Sequence, residues 1–535
     1  MTVLSLPILA AVWGLSWFVI QDGPLYIYNA HILVESLRSN SIFHQFYALR
    51  WYPLPYWGAY ALLMGLLPVL PERLADQILI TLCSVGFVAA LAWLRWRVVG
   101  WQGMAVVAPI AVLLSMNMHW LFGLYSFLLG ACLYLITLGV WWKNRDQLGL
   151  KRSLLLSLLL IAGYFCHLVS VGITVIGLGV LAVMTPGAGW FRRVFWTALS
   201  ILPLVPLMLM YRSLMQSAGE VQTAWGGLTD PLSVKSWLWY FRLADFLLLQ
   251  YPGMPIPEGG IREFLFNAPE PSIWAGIGLL ALLIAPLSFR GPRDRSFIKT
   301  HRGWIILVCA LIGGGFFGPS AFGEGHGGFL RERLLFVGFA TLAAIMRVKP
   351  KRILTWIGMA GIIIALALQM GLMWDYALTS NRCVSAFMEV KPYVGTGKRV
   401  AALMVNPGGR FRASPMPHIS NMLGVRTSNL VWNNYGPAIY FFPIRFLREE
   451  DSRLAEEIGN NLQFYDFLNP ETVDYALDDW ESLMEESQSQ IDVLVVWHAT
   501  PEIDEINRQW FNPHPVFANE DVKVLVHSPT EKPPQ

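Results

Sequence analysis

The sequence is short of charge. Of its 535 residues only 14% are Asp, Glu, Lys or Arg, whereas 55% are hydrophobic and the mean hydropathy is +0.47. Soluble proteins carry about 25% charged residues. A chain with so little charge cannot cover a soluble surface of this size, so the composition indicates a polytopic membrane protein. The net charge of +3 gives no reason to expect nucleic acid as a partner.

The sequence also has few cysteines, and its first apolar segment lacks the features of a cleaved signal peptide. Four of the five cysteines lie in apolar segments, and no CxxC or metal-ligand spacing occurs, so we expect neither a disulfide framework nor a cysteine metal centre. The first apolar segment, VLSLPILAAVWGLSWFVI (3–20), has no basic region before it and no small-residue cleavage site after it. It is therefore predicted to be a retained first helix rather than a signal peptide.

Long apolar runs are what the sequence does have. Including the first segment, about 11 runs are candidates for membrane-spanning helices. The others lie at 78–94, 102–116, 121–142, 153–166, 169–186, 194–211, 272–289, 303–320, 333–346 and 353–374.

Basic residues cluster in five of the connections between these runs, and the positive-inside rule places such loops in the cytoplasm. The clusters lie at 95–97, 143–152, 192–193, 290–302 and 347–352. Alternation then predicts a cell-membrane protein with a cytoplasmic N-terminus. The outer loops would be 21–77 and 212–271, and everything after about residue 375 would be extracytoplasmic.

One apolar segment does not fit this alternation. Residues 52–70, YPLPYWGAYALLMGLLPVL, are apolar enough to cross the membrane. Counting them as a crossing would place either Asp22 in the cytoplasm or the basic cluster 95–97 outside, against the positive-inside rule. Prolines near both ends, together with Trp and Tyr, favour a re-entrant or interfacial helix within the outer loop 21–77. An ordinary transmembrane helix remains the alternative.

The last third of the chain changes character. The transmembrane part is predicted to be 1–375, and 376–535 holds most of the acidic residues. Three short apolar strands, at 399–405, 491–497 and 521–527, are separated by helical patterns such as 448–468. This order predicts a soluble α/β domain on the outer face. The turn NPGG at 406–409 could be a site or an ordinary loop.

Asp22 is the first candidate for chemistry. It lies in QDGPLYIYNAH (21–31), after the first apolar segment and before a Gly-Pro pair. A positioned carboxylate there could act as a general base or a metal ligand. It could equally cap a helix, because Asp before Gly-Pro is a common helix start. Tyr26, Asn29 and His31 follow in the same stretch.

Further polar residues lie at predicted outer helix ends. Asn117 and His119 belong to NMHW, and His167 lies in the turn GYFCHLVS. Ionisable groups at or within a membrane usually have a partner or a function. A single histidine is often structural, so both interpretations remain open for each of these residues.

The segment GEGHGGFLRERLLF (323–336) combines Glu324, His326, Arg331 and Arg333. Its arginines lie at the start of a membrane helix, on the side opposite the basic loops, where the charge rule disfavours them. A guanidinium binds phosphate through a planar fork of donors, which favours a phosphate site. Pairing with Glu324, Glu332 or lipid phosphate is the alternative.

The chain resembles the GT-C class of membrane glycosyltransferases, which includes protein O-mannosyltransferases, oligosaccharyltransferases and aminoarabinose transferases. Four features carry the resemblance: QDGPLYIYNA (21–30), the Pro-rich RWYPLPYWGAYALL (50–63), the Gly-rich helix start WLFGLYSFLLG (120–130) and the soluble outer domain.

The resemblance implies transfer of a sugar from a polyprenyl phosphate or pyrophosphate donor to an acceptor that the sequence does not identify. Asp22 would deprotonate or orient the acceptor hydroxyl. Position assigns the leaving phosphate to Arg331 and Arg333. The other polar candidates are assigned to substrate binding, namely Tyr26, Asn29, His31, Asn117, His119, His167, Glu324 and His326.

The sequence departs from the class at its acids. Many members have a second acid next to the first, and here Gly23 follows Asp22; Asn117 and His119 stand where a further acid commonly lies. No metal site is therefore assigned, although a divalent metal is possible, and the sequence assigns no other cofactor. A polysaccharide polymerase or ligase, or a transporter or scaffold subunit, are the alternative functions.

Overall fold

The computed structural model describes residues 2–187, 189–217, 295–319, 321, 328–346, 353–408, 413–461 and 473–527. The chain divides into two units. The helical unit consists of Met1–Ala10, Pro53–Ala59 and Leu79–Trp374. The sheet unit consists of Ala11–Tyr52, Tyr60–Ile78 and Asp375–Gln535. The sequence placed a single boundary at residue 375, whereas the sheet unit also includes two N-terminal segments.

The α-helices of the described residues are α1 Thr2–Gly14, α2 Gly23–Glu35, α3 Trp57–Leu66, α4 Glu72–Val99, α5 Met104–Ser115, α6 Met118–Leu121, α7 Tyr125–Asn144, α8 Leu150–Cys166, α9 Leu168–Met184, α10 Trp190–Ile201, α11 Leu204–Ser217, α12 Arg295–Phe317, α13 Leu330–Ile345, α14 Ile353–Met388, α15 Lys391–Val394, α16 Glu449–Glu456, α17 Val473–Ser487 and α18 Pro501–Asn507. The strands are β1 Tyr47–Leu49, β2 Arg399–Met404, β3 Leu430–Val431, β4 Ile444–Phe446, β5 Val493–Trp497, β6 Phe517–Ala518 and β7 Val522–Val526.

Several helices have the length and composition to cross a membrane. Among the described residues four qualify, and α10 with α11, bent by 42°, would make a fifth. The four spans are Glu72–Val99, Tyr125–Gln147, Ser296–Phe317 and Gly358–Val394. The candidate run 272–289 and most of the loop 212–271 lie outside the described residues. The count of 11 spanning helices therefore stays a prediction.

The first helix is shorter than predicted. Helix α1 ends at Gly14, and residues 15–20 are not helical. Their backbone is instead bonded to α14, since Trp17 N–H donates to Asn381 Oδ1 at 2.9 Å and Val19 N–H donates to Ser380 Oγ at 2.9 Å. The prediction of one helix over 3–20, ending next to Asp22, was therefore wrong. Asp22 precedes α2.

The segment 52–70 forms only the ten-residue helix α3. At 1.5 Å per residue this helix is about 15 Å long, half of the roughly 30 Å hydrocarbon core of a bilayer. Tyr56, immediately before α3, has a φ of +86°, which is incompatible with a helix that starts earlier at Pro53 or Pro55. Helix α3 is too short to cross a bilayer alone. The side on which it lies stays a prediction.

The C-terminal domain is built on a five-stranded mixed sheet with the order β3-β2-β5-β7-β6. Strand β2 runs parallel to β3 and β5, and β7 runs antiparallel to β5 and β6. Strand β5 is buried along its whole length, as expected for the centre of such a sheet. The three predicted strands form β2, β5 and β7, which confirms the α/β prediction.

The predicted outer loop 21–77 contributes to the core of the sheet unit. The Tyr28 hydroxyl donates to Asn429 O at 2.7 Å and accepts from Val431 N–H at 3.1 Å. Strand β1 pairs antiparallel with β4. Glycine is required at Gly424, where a Cβ would lie 2.2 Å from the Tyr28 ring. The N-terminal segment and the C-terminal domain therefore pack as one unit.

Candidate functional site

Asp22 lies at the N-cap position of α2, where Gly23 and Pro24 begin the helix. Its side chain makes no capping hydrogen bond, and its φ of −86° and ψ of −4° are helical rather than the extended values of an N-cap. The capping alternative is therefore wrong for the Asp22 side chain, whose carboxyl remains available for another role.

The Asp22 carboxyl faces His418. Asp22 Oδ1 lies 3.6 Å from His418 Nε2, and the two side chains are 20% and 3% exposed. Burial raises the pKa of Asp22 to about 7 and lowers the pKa of His418 to about 4. Since Asp22 gains its charge well above the pH at which His418 loses its own, the two do not form a charged pair. The carboxyl instead titrates near neutral pH beside a neutral imidazole.

Tyrosines surround this carboxyl. Tyr26 stacks on Tyr60 with ring centroids 5.1 Å apart, and the Tyr435 ring lies 5.3 Å from that of His418. The Asp22 charge interacts electrostatically with Tyr60, Tyr376 and Tyr435. Phenol groups both donate and accept hydrogen bonds. The arrangement can therefore orient a hydroxyl group next to a carboxyl that accepts its proton.

Asn29 and His31 lie farther along α2 and are also buried. Asn29 Oδ1 accepts from Asn434 Nδ2 at 2.8 Å. His31 Nε2 accepts from Arg426 N–H at 3.2 Å, and burial, aided by the Arg426 charge, lowers its pKa to about 4. Both residues link α2 to the C-terminal domain. Their role in substrate binding stays a prediction.

Asn117 has a local role in the helical unit. It is the N-cap of α6, where its Oδ1 accepts from Trp120 N–H at 3.1 Å. Its Nδ2 donates to Leu114 O at 2.7 Å. The side chain therefore connects the end of α5 to the start of α6, and its predicted contact with substrate stays untested.

His119, His167 and Arg333 share one aromatic partner, Phe127. Ring centroids lie 5.2 Å apart for His119 and Phe127 and 5.6 Å apart for Phe127 and His167. The Arg333 guanidinium carbon lies 5.1 Å from the Phe127 centroid. Tyr56 packs on His167 at 5.1 Å. These residues form a buried cationic and aromatic group, here called the Phe127 cluster.

Arg331 and Arg333 lie in the first turn of α13, as predicted, but both are buried rather than open at a mouth, with exposures of 3% and 7%. Arg331 Nε donates to Gly318 O at 2.5 Å. Glu324 and His326 lie outside the described residues. Within the described ranges, no group of three or more His, Cys, Asp or Glu is arranged to hold a metal ion.

His418 and Tyr435 were not identified from the sequence. Both lie about 400 residues after Asp22, in a segment with no motif. A single histidine that follows two prolines gives no indication in the sequence that it will lie beside Asp22. Only the fold of the sheet unit brings these residues to Asp22.

These features define an α-helical membrane protein with a C-terminal α/β domain. No family model matches the chain, and no curated protein matches it. Among solved structures, it is similar to the arabinofuranosyltransferase AftD from Mycobacteria, with a TM-score of 0.47 and 13% identity over 98% of this chain and 39% of that one. The chain therefore spans about two fifths of the length of AftD.

It is also similar to ArnT from Cupriavidus metallidurans bound to undecaprenyl phosphate, with a TM-score of 0.44 and 12% identity over 100% of this chain and 98% of that one. For ArnT in the apo state the TM-score is 0.42, with 12% identity over 100% of this chain and 99% of that one.

Proposed function

We propose that this protein is a membrane glycosyltransferase that moves a sugar from a polyprenyl-phosphate-linked donor to an acceptor on the extracytoplasmic side. The observation that carries the proposal is the state of Asp22. Its carboxyl makes no capping bond, faces a neutral imidazole at 3.6 Å and has a pKa of about 7. A general base works best when its pKa is close to the operating pH.

In the proposed reaction the bond between the sugar's anomeric carbon and the phosphate oxygen breaks. The acceptor oxygen bonds to that carbon, and its proton passes to the Asp22 carboxylate. The polyprenyl phosphate leaves with the electron pair of the broken bond. His418 stays neutral at working pH because of its low pKa, so it does not bind Asp22 as an ion pair. Tyr26 and Tyr60, stacked beside the site, would orient the acceptor.

We further propose that Arg331 and Arg333 bind the phosphate of the donor lipid. Both guanidinium groups lie buried at the start of α13, and Arg333 also packs on Phe127. Attraction between opposite charges is stronger in surroundings of low dielectric constant. A guanidinium also matches the geometry of phosphate oxygens. An anion with its hydrocarbon tail in the bilayer suits such a position.

The proposed sidedness rests on the basic connections, which the positive-inside rule assigns to the cytoplasm. The proposed topology takes α1 together with residues 15–20 as the first crossing. A cytoplasmic N-terminus then places residue 22 and the C-terminal domain outside. A cysteine introduced at Leu37, which is 61% exposed and lies in the same predicted outer loop, should be labelled from the outside and not from the cytoplasm. Labelling from the cytoplasm only would contradict it.

The direct test of the function is Asp22→Asn, which keeps the size of the side chain but removes its basicity. Purified protein in lipid vesicles is given radiolabelled polyprenyl-phosphate sugars and a crude acceptor fraction from the cell envelope. We expect transfer to fall at least about a hundredfold, the usual contribution of a general base. Glu35→Gln is the matched control, because Glu35 lies at the other end of α2 and pairs with Arg38 at 2.9 Å.

The control variant should transfer sugar at the rate of the wild type. Both variants should also elute as the same single species on size exclusion and melt within a few degrees of the wild type. If Asp22→Asn forms as much product as Glu35→Gln, Asp22 has no part in the mechanism.

A further inference from the structure

A cavity lies within the sheet unit. Its volume is about 580 Å³, within the range of roughly 300–1,000 Å³ found for pockets that bind small molecules. We call it the sheet-edge cavity, and the residues that matter for its chemistry are Asp375, Arg382, Asn406, Ser414 and His498.

The cavity lies where two neighbouring parallel strands end. Asn406 follows β2, and Trp497 and His498 are at the end of β5. From β2 the chain goes to β3 on one side of the sheet and then to β5 on the other. Such a reversal separates the connections at the carboxyl ends and leaves a crevice, the usual ligand position in open α/β sheets.

A residue in the left-handed conformation follows each of these strands. Asn406 has a φ of +46° and His498 a φ of +53°. Asn and His adopt this left-handed conformation more readily than most residues, but it still carries strain. Strained residues persist where the surrounding structure holds them, and they cluster at ligand sites. Here the two follow neighbouring strands and line one cavity.

The polar groups of the cavity include both charges. Asp375 and Arg382 lie seven residues apart in α14, two turns along the same face. The side chains of Asn406 and Arg382 make no hydrogen bond or ion pair to other described residues. His498 is 47% exposed and is held by Asp521 Oδ1 at 3.2 Å from its Nε2. The lining therefore offers a carboxylate, a guanidinium, an amide and an imidazole together.

We propose that the sheet-edge cavity binds a neutral saccharide. Sugar hydroxyls donate and accept hydrogen bonds at once, which matches a lining of donors and acceptors with opposite charges. An anionic ligand would meet the Asp375 carboxylate, and a cationic ligand would meet Arg382. Size also fits, since the volume admits a small saccharide of one or two rings.

The cavity is joined to Asp22 by a short piece of chain. Ser414 lines the cavity, its N–H donates to Gln21 Oε1 at 3.3 Å, and four residues later the same segment carries His418. If the proposed function holds, on which this step rests, the saccharide in the cavity is the glycan acceptor. The binding itself does not depend on the transferase activity.

The test uses the full-length protein in a detergent without a sugar headgroup. Fluorescently labelled protein is applied to an array of immobilised neutral mono- and disaccharides, uronic acids and sugar phosphates. Wild type should bind a subset of the neutral sugars. Asn406→Gly, which retains the left-handed backbone without the amide, and Arg382→Gln should each bind at least tenfold more weakly.

Two further variants make the result specific. Arg508→Gln, at an arginine of α18's C-terminal end that pairs with Glu505 at 2.7 Å, should bind as the wild type does. Asp22→Asn should keep saccharide binding and lose transfer, so that failure of the catalytic proposal is distinguishable from failure of this one. Binding to sugar phosphates alone, no binding to any sugar, or equal binding by Asn406→Gly and Arg382→Gln would each overturn the proposal.

Discussion

The energetics of Asp22 indicate a residue that does not contribute to stability at neutral pH. Its pKa rises from 3.8 to about 7 on folding. Between these values the folded protein binds more protons at this site than the unfolded chain does. The stability contributed by the site therefore decreases as pH rises from about 4 to about 7, by an amount of the order of a few kcal/mol. A carboxyl that served only the fold would show the opposite shift.

The decrease of stability with rising pH gives a prediction for the free energy of unfolding. Asp22→Asn removes the titrating group, so we expect the variant to lose less stability than the wild type between pH 4.5 and pH 7.5. The measurement is the thermal melting of both proteins in detergent across that pH range. Parallel curves for the two proteins would show that Asp22 has an ordinary pKa in the folded state.

The sequence identified Asp22 but not its surroundings. An isolated acid between an apolar run and a Gly-Pro helix start is visible in the sequence, whereas His418 and Tyr435 become neighbours only through tertiary contacts. The sequence also could not distinguish a cap from a base. The structure shows that the Asp22 side chain makes no capping hydrogen bond, and its role as a base stays a proposal.

At the level of helices, several basic residues counted as loop charges bind helix ends. Arg95 lies within α4, is 1% exposed, and its guanidinium donates to Ala343 O at 3.2 Å and Met346 O at 2.7 Å at the end of α13. Arg193 donates to Thr185 O at 2.6 Å at the end of α9. Cations stabilise these ends because helix C-terminal carbonyls are unpaired and carry partial negative charge.

We therefore predict that Arg95→Met destabilises the helical unit. The substitution keeps much of the side-chain volume but leaves carbonyls at the end of α13 without their donor. Bonds to charged groups are worth about 1.5–3 kcal/mol each, so a loss of about 2 kcal/mol or more is expected. Thermal melting in detergent measures it.

The control for Arg95→Met is Arg152→Met, at a half-buried arginine of α8 whose side chain, among the described residues, bonds to Gln147. Its melting temperature should stay within about a degree of the wild type, as for most surface changes. Equal melting of the two variants would mean that the carbonyls of α13 find water or another donor.

Strand prediction succeeded where the apolar runs were long. β2, β5 and β7 contain five or six residues rich in Val, Leu and Ala, and the sequence shows them clearly. β1, β3, β4 and β6 have two or three residues each, too few for a period to be visible. These short strands form because a partner strand is present. Their own residues therefore do not suffice to predict them.

At the level of the whole molecule, the C-terminal domain is not independent of the N-terminus. Residues 11–52 and 60–78 belong to its unit. They provide β1 to pair with β4 and Tyr28 to bind the backbone of Asn429 and Val431. The change of composition after residue 375 marked where the C-terminal part begins. Composition cannot reveal, however, that segments near the N-terminus, about 300 residues earlier in the sequence, pack with it.

A fragment of residues 375–535 should therefore be much less stable than the same residues in the full chain. It would leave the β4 edge open and expose the surface that α2 covers. Hydrogen exchange of the β2 and β4 amides, followed by mass spectrometry, measures this difference. We expect faster exchange in the fragment, and recovery of protection when residues 11–78 are joined to it by a flexible linker. Equal protection without residues 11–78 would contradict the packing described here.

The bond between Tyr28 and Asn429 also has a consequence for how the protein is made. The two residues are 401 positions apart in the chain, so at about 5–20 residues per second a ribosome needs roughly 20–80 seconds to get from one to the other. During that time Asp22 has neither His418 nor the buried surroundings that shift its acidity. The nascent chain therefore inserts its first helices while its proposed base is still an ordinary, ionised aspartate. The proposed proton-accepting site matures only when the last third of the chain has been synthesised.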